Sequence, residues 1–588
     1  MPWKMVTDPL DNIGLSSVLA ALPILYLFWA LAYVRMKGHW AALSGTAIAV
    51  LVATFGYGMP MQLAVTSTFL GSLFGLWPVA WIVVTAIFLL SLSIRTGQFE
   101  IIRNSLAAVT DDRRMQALLI AFSFSAFIEG AAGFGTPVAI TGAMLIGLGF
   151  EPLYAAGICL LGNTAPVANG AIGIPLVVAS QISGVDLMAL SQMVGRTLPL
   201  LSLIIPFYIV VLMSGWKKGM AVWPACVVCG GSFAITQWFV SSYIGPLLPS
   251  IVASLVSIVC LTIFLHFWHP EESWTFEHEP ETAGKEQLKY TGWQIFRAWL
   301  PFIILSIFVA TWGIKSVRDI LDDIGLIKFQ IPALHEMVMR GGSLMPAVYN
   351  FASLSAAGTA ILLAAILSIP VMGASLGTVI SVAVDTVKRL IWTTVTIASI
   401  LGFAYIMNFS GMAVTLGYGF AETGFFFPFF AAVLGWLGVF MTGSDTSSNA
   451  LFGKLQEVTA RAIGVDPVVT VAANASGGVC GKMISPQSLS VATAATHLVG
   501  HEADILRFTL KHSIILTALI GTLTFLQAYV IQWIIPVYEK AATTVPSVVK
   551  AVAPTPVSHT EGIMYLLITA GVVIVLIIVA VSAGRKQE

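Results

Sequence analysis

AFIEGAAGFGTPVAITGAMLIGLGFEPL, residues 126–153, is the stretch on which the fold turns. It is apolar enough to read as membrane. Yet it carries Glu129 and Glu151, Pro137 and Pro152, and six glycines. Hydrocarbon leaves exposed N–H and C=O groups unsatisfied, so irregular backbone at membrane depth survives only where protein buries it or a wet cavity receives it. The stretch therefore predicts an interrupted segment inside a membrane protein.

The rest of the chain supplies the membrane. Of 588 residues, 57% are hydrophobic and 10% charged, against about a quarter charged in soluble domains. Long apolar runs recur at 13–34, 40–57, 64–95, 198–214, 219–240, 244–268, 295–314, 353–375, 390–407, 424–442, 512–536 and 561–583. Most are long enough to cross roughly 30 Å of hydrocarbon as helices. They lack the strict alternation of barrel strands. The expected class is an all-α polytopic membrane protein. Basic and acidic residues balance at 28 each, and no segment has the basic, aromatic-interleaved character of a nucleic-acid site, so no nucleic acid is expected as a partner.

The N-terminal apolar stretch reads as an uncleaved first helix, because Asp8 and Asp11 precede it and no clear small-residue cleavage site follows. Arg35 and Lys37 place the next loop in the cytoplasm by the positive-inside rule; Asp111–Arg114, Lys217-Lys218 and the terminal GRKQE are further cytoplasmic candidates. Cys226-Val-Val-Cys229 has redox spacing, but it sits in an apolar run without βαβ context; two small helix-packing residues are the better reading.

Internal repeats organise the chain. GTAIAVLVA from Gly45 answers GTAILLAAI from Gly358; Thr96-Gly97 answers Ser410-Gly411; Phe127-x-x-Gly130 answers Phe440-x-x-Gly443; LGFEPL, with Gly149 and Pro152, answers IGVDPV, with Gly464 and Pro467. The matches fall in order at nearly one offset. They divide the chain into a first helix (1–38), repeat 1 (39–215), middle helices (216–352) with an exposed hydrophilic linker at 269–292, repeat 2 (353–536), and a C-terminal loop and last helix (537–588). Duplication of this kind marks secondary transporters, whose sites lie near the midplane in interrupted segments at matching places. Here those segments are 127–150 and 153–182, and 440–464 and 468–498. Each mixes Gly, Pro, Asn, Ser and Thr into apolar sequence. Breaks free the N–H groups of half-helix starts to bind anions. The competing reading is close Gly/Ala helix packing.

Ionisable groups within the membrane are functional hypotheses by default. Glu129 and Asp445 flank the repeated glycine of their halves and are the proton-coupling candidates; the alternative is capping or pairing with a base. Lys482 is the cation among the broken segments, either for an organic anion or snorkelling to the interface. Lys454, Glu457 and Arg461 read as a solvated face or ion pairs at the membrane edge; Asp385, Lys388 and Arg389 are similar, with Arg196 as the first-half candidate. His497 and His501 are four apart, a spacing that would put two metal ligands on one helix face, but no third ligand is evident, so no metal is expected. No Walker lysine, Gly-x-Ser-x-Gly elbow or kinase signature is present. Neither an enzyme nor a cofactor is expected. The residues alone support a secondary transporter of a small polar or anionic solute.

FIEGAAGFGTPVAI, LLGNTAPVANGAIGIP, GSDTSSNALFG and KMISPQSL resemble the bacterial L-lactate permease family, over essentially the whole chain. The resemblance implies a symporter of the bacterial inner membrane that takes up L-lactate, D-lactate and glycolate with a proton by alternating access. It also implies an ion-transporter-superfamily-like plan of inverted repeats, re-entrant hairpins and discontinuous helices whose Asn/Ser/Thr tips cradle a carboxylate. On that plan the substrate candidates are Gly133, Gly135, Thr136, Asn163, Thr164, Ser444, Thr446, Ser447, Asn449, Asn474, Lys482, Ser485 and Gln487. A sodium-coupled carboxylate carrier and a passive carboxylate channel are the alternatives. The expected partners are these acids, a proton and membrane lipid.

Overall fold

The computed structural model describes residues 2–133, 135–276 and 290–538. Among them ten helices are long and apolar enough to cross a membrane. The chain is a helical, multi-pass membrane protein. The last helix expected within 537–588, and most of the linker at 269–292, lie outside the described residues.

Two small sheets depart from an all-helical reading. Leu326–Gln330 pairs antiparallel with Val348–Ala352. Val338–Arg340 pairs with Ser343–Leu344, and Trp3–Lys4 adds to it in parallel. Ile327, Phe329, Val348, Tyr349 and Phe351 suit a pleated surface, and the segment is too short and too polar to span. The first residues of the hydrophilic linker also differ from expectation. Trp274 and Phe276 are half-buried. Phe276 packs edge-on against Phe150 (ring centroids 5.3 Å apart) and lies 6.0 Å from the Tyr154 ring.

Eight helices carry the interrupted segments: α1 (Ser125–Ala131), α2 (Thr136–Gly147), α3 (Pro152–Gly162), α4 (Gly170–Ser183), α5 (Phe427–Thr442), α6 (Asp445–Ala462), α7 (Pro467–Lys482) and α8 (Pro486–Ala495). Each break has a local cause. Gly133 and Gly135, between α1 and α2, hold φ of 62° and 79°, which only glycine adopts freely. Gly443 (φ 72°) ends α5, and Ser444 caps α6 by accepting from Ser447 N. Between α3 and α4 the chain turns through Asn163–Asn169, and Ala171, Ile172 and Gly173 all take positive φ; the flanking helices differ in direction by 64°. Ser485 caps α8 after the Met483–Ile484 interruption.

Close backbone approach locks these helices together. A Cβ on Gly435 of α5 would strike the Asn474 backbone of α7, and one on Gly477 or Gly481 of α7 would strike the Ala432 or Trp436 backbone of α5. Without a hydrophobic force between helices in lipid, small residues of this kind set the packing. The helix Leu376–Ser410 runs alongside, packed on Gly38–Leu51, Met61–Phe74 and Trp81–Arg95. Cys226 and Cys229 are free and buried; Cys229 Sγ lies 3.4 Å from Ser123 Oγ and 3.5 Å from Ser257 Oγ.

Candidate functional site

The breaks bring charged and amide side chains into one buried region. Lys482 is the last residue of α7, and its Nζ lies 2.5 Å from Oε1 of Glu129 on α1. Asn163, where α3 ends, donates from Nδ2 to Glu129 Oε2 at 2.9 Å. Ser125 Oγ in turn donates to Asn163 Oδ1 at 3.2 Å, which sets the amide's direction. Both oxygens of Glu129 therefore receive donors. Gly133 and Gly170 close over the carboxylate: a methyl on Gly170 would come to 2.6 Å of Oε1, and one on Gly133 to 3.5 Å. The main chain of the first-half breaks must pass this near to Glu129.

Asp445 opens α6 beside this pair, within electrostatic reach of both Lys482 and Glu129. Its Oδ2 accepts from Asn449 Nδ2 at 3.3 Å, whereas Oδ1 is buried with no hydrogen-bond partner among the described residues. Asn449 Oδ1 accepts from Asn474 Nδ2 at 2.9 Å, and Asn474 Oδ1 from Gln456 Nε2 at 3.1 Å. The chain of amides also reaches α4, because Asn449 Nδ2 donates to the Pro175 carbonyl at 3.3 Å.

The remaining candidates divide. Ser444, Thr446 and Ser447 line a cleft with Ile174 of α4 and Ile397, Ile400 and Leu401 of the Leu376–Ser410 helix. Thr446 and Ser447 follow Asp445 directly, so a helix turns them to other faces. Gly135 and Thr136 start α2, where Gly135 lies near Val491 of α8. Gln487 is exposed on α8 and packs against the Gly443 turn. Thr164 bonds back to the Leu160 carbonyl and Ser485 to the Lys482 carbonyl, local duties in both cases.

Of the two readings of Lys454, Glu457 and Arg461, the ion pairs are the one observed: Glu457 is buried between Lys454, at 2.8 Å, and Arg461. Asp385, Lys388 and Arg389 are exposed. Arg196 donates to the Ile534 carbonyl. His497 and His501 share no helix face: both lie in the turn between Ala495 and Glu502, where His497 takes a positive φ and the exposed His501 sits 3.0 Å from Asp504. Sequence reasoning passed over Ser125, Gly170, Gln456 and Gly478. Asp445, Asn449 and Gln456, at i, i+4 and i+11, share a helix face, and that spacing was the available signal for Gln456.

A family profile described as L-lactate permease matches residues 16–531. The glycolate permease GlcA of Escherichia coli (strain K12) is 49% identical over 550 residues, covering 90% of this chain and 98% of that protein. The L-lactate permease of Bacillus subtilis (strain 168) is 48% identical over 563 residues, covering 91% and 100%. Among solved structures, the YdaH transporter of Alcanivorax borkumensis aligns at a TM-score of 0.42 and 14% identity over 78% of this chain and 87% of that one, too distant a likeness to argue from.

Proposed function

The chain belongs to the L-lactate permease family, and from that premise we propose that it takes up L-lactate, D-lactate and glycolate with a proton across the bacterial inner membrane. The observation that carries this reading is the buried Lys482–Glu129 pair between the two halves. An ammonium has three donors. One goes to Glu129, which leaves others for the carboxylate of a short acid. That acid's arrival puts a second anion beside Glu129 and Asp445 with one lysine among them. Uncompensated charge in a low-dielectric site is expensive. A proton that enters with the acid offsets it, so the site carries the same net charge loaded and empty. The neighbouring Asn and Ser side chains suit the 2-hydroxyl group, and the crowding of Gly133 and Gly170 onto the site favours small acids.

The two halves are read as inverted repeats, with α1–α2 and α5–α6 as re-entrant hairpins and α3–α4 and α7–α8 as discontinuous helices. Paired features support this. Gly97 and Gly411 take φ of 75° and 94°, and Gly149 and Gly464 take 92° and 75°. Glu151 and Asp466 each precede a helix that opens with proline. Alternating access then moves a site held between the tips.

The test is labelled L-lactate outside proteoliposomes under an inward proton gradient without sodium, with Glu129→Gln and Asp445→Asn alongside. Concentrative uptake in the wild type, lost in either variant, is the expected result. Uptake that only equilibrates, or that needs sodium, overturns the reading.

A further inference from the structure

The amide chain behind Asp445 has only one consistent orientation. Gln456 Nε2 lies 3.0 Å from the Ala431 carbonyl. A carbonyl only accepts, so the Gln456 amide must face it with its NH2 group. That same group donates to Asn474, which must answer with its oxygen. Asn474 then presents its NH2 to Asn449, whose oxygen accepts it. Asn449 is left with its NH2 toward Asp445 Oδ2 and the Pro175 carbonyl. The Pro175 carbonyl, again an acceptor only, agrees with the assignment from the far end. Backbone acceptors thus anchor both ends, and every amide between them points its donor toward the carboxylate.

This fixes the chemistry of Asp445. Oδ2 always faces a donor and has no room for a proton of its own. Oδ1 is buried, without a hydrogen-bond partner among the described residues, and faces Gly478 of α7, where a Cβ would collide with it. Space is kept at that oxygen by the absence of a side chain. Glu129, by contrast, has donors on both oxygens. The charged groups facing Asp445 are Lys482 of α7 and Glu129 of α1; Lys454 and Glu457, farther along α6, are paired with each other.

Resting on the symport reading above, we propose that the proton taken up with the acid is held on Oδ1 of Asp445, and that Gln456 is the positioning residue that keeps it there. Proton binding and substrate binding are then separate: Lys482 takes the carboxylate and Asp445 Oδ1 takes the proton. When Gln456 is removed, the 3.3 Å bond to the Pro175 carbonyl alone resists reversal, and Asn474 and Asn449 turn over together at the cost of that one long bond. Asn449 then offers its oxygen to Asp445, which favours the protonated carboxyl over the carboxylate.

The experiment compares proton-driven uptake with lactate counterflow, which needs no net proton movement, in Gln456→Leu and Gly478→Ala. For Gln456→Leu the pH at half-maximal uptake moves up by about one unit, the size of one lost hydrogen-bond preference, and the counterflow KM stays at the wild-type value. Gly478→Ala loses most proton-driven uptake. A folded Gln456→Leu protein with an unmoved pH profile overturns the proposal. Lactate-induced infrared difference spectra read the proton without dependence on those variants. The protonated-carboxyl band is expected to vanish in Asp445→Asn and persist in Glu129→Gln; the reverse places the proton on Glu129 and overturns the proposal. Failure of the wild type to concentrate lactate under a proton gradient would instead count against the symport reading itself.

Discussion

Lys482 and Glu129 are 353 residues apart in sequence and 2.5 Å apart in space, an ion pair buried between the last turn of α7 and the middle of α1. Each side chain is at most a tenth exposed. Removing one partner from such a pair leaves a naked charge, at a cost of about 3–5 kcal/mol. Lys482→Met is therefore expected to lower thermal stability and abolish transport. Adding Glu129→Gln to it should return most of the stability and none of the transport. Melting of the purified single and double variants, read beside lactate uptake, checks both halves of the statement.

Gly170 supplies a gentler perturbation of the same pair. A methyl there would meet Glu129 Oε1 at 2.6 Å, the end of a side chain rather than backbone. Gly170→Ala is expected to fold, and to raise the KM for lactate roughly tenfold, as a displacement worth about 1.4 kcal/mol would. Uptake kinetics on protein of wild-type melting temperature decide it; an unchanged KM would show that Glu129 does not set the position of Lys482.

Gly477 presents the opposite case, because its neighbour is the backbone of Ala432. Backbone does not swing aside. Gly477→Ala must push α5 and α7 apart, and overpacking of this kind costs about 1–3 kcal/mol. Lower melting temperature and lower yield are expected even though the residue touches neither carboxylate.

These glycines show what was legible in the chain and what was not. A break made by Gly133, Gly135 or Gly443 is a local matter of φ, and a proline opening a helix is local too, so the four interrupted segments could be read from sequence. Small residues serve two structural ends: Gly443 turns the chain, whereas Gly477 and Gly481 let helices touch. The partners were not legible. Glu129 and Lys482 each stood out alone, as a buried acid and a buried base, but nothing local joins residues this far apart. Thr446 and Ser447 share a segment with Asp445 and lie on another face of it, lining the cleft against Ile174 and Ile400. Gln456 looked like an ordinary helix polar residue until Ala431 and Asn474 were placed around it. The small sheets were hidden by composition, since short strands between spans leave no hydropathy signal.

At the Gly464 turn, Tyr538 donates from its hydroxyl to Asp466 Oδ1 at 2.6 Å. Burial, followed by that hydrogen bond and the Asp466 charge, holds the phenol above its ordinary value. The neutral phenol is the form that donates. With the folded value raised, the bond's contribution to stability is complete below the unfolded tyrosine pKa of about 10. It is lost as pH rises through the folded value. Tyr538→Phe should therefore melt below the wild type at pH 8, and the gap should narrow above pH 10.

The Gly149 turn is held in another way. Arg114 grips Asp112 through two bonds, of 3.0 and 2.6 Å, with both side chains under 5% exposed. The same guanidinium donates to the carbonyls of Lys218 and Glu272 at 2.7 and 2.8 Å, and Trp274 N donates to Asp112 Oδ2 at 3.1 Å. These bonds fasten residues 272–276 down, and Phe276 then lies on Phe150 beside the turn. A segment that hydropathy marks as free linker is thereby tied to the start of α3. Lysine offers a single ammonium and no planar fork, so it does not reproduce a set of bonds aimed in three directions. Arg114→Lys and Arg114→Ala are both expected to expose residues 269–276 to limited proteolysis, with Arg114→Ala also losing about 3–5 kcal/mol of stability because the buried Asp112 carboxylate loses that guanidinium. If cleavage there stays at the wild-type rate in both variants, the aromatic packing of Phe276 alone holds the segment, and Phe276→Ala becomes the variant that releases it.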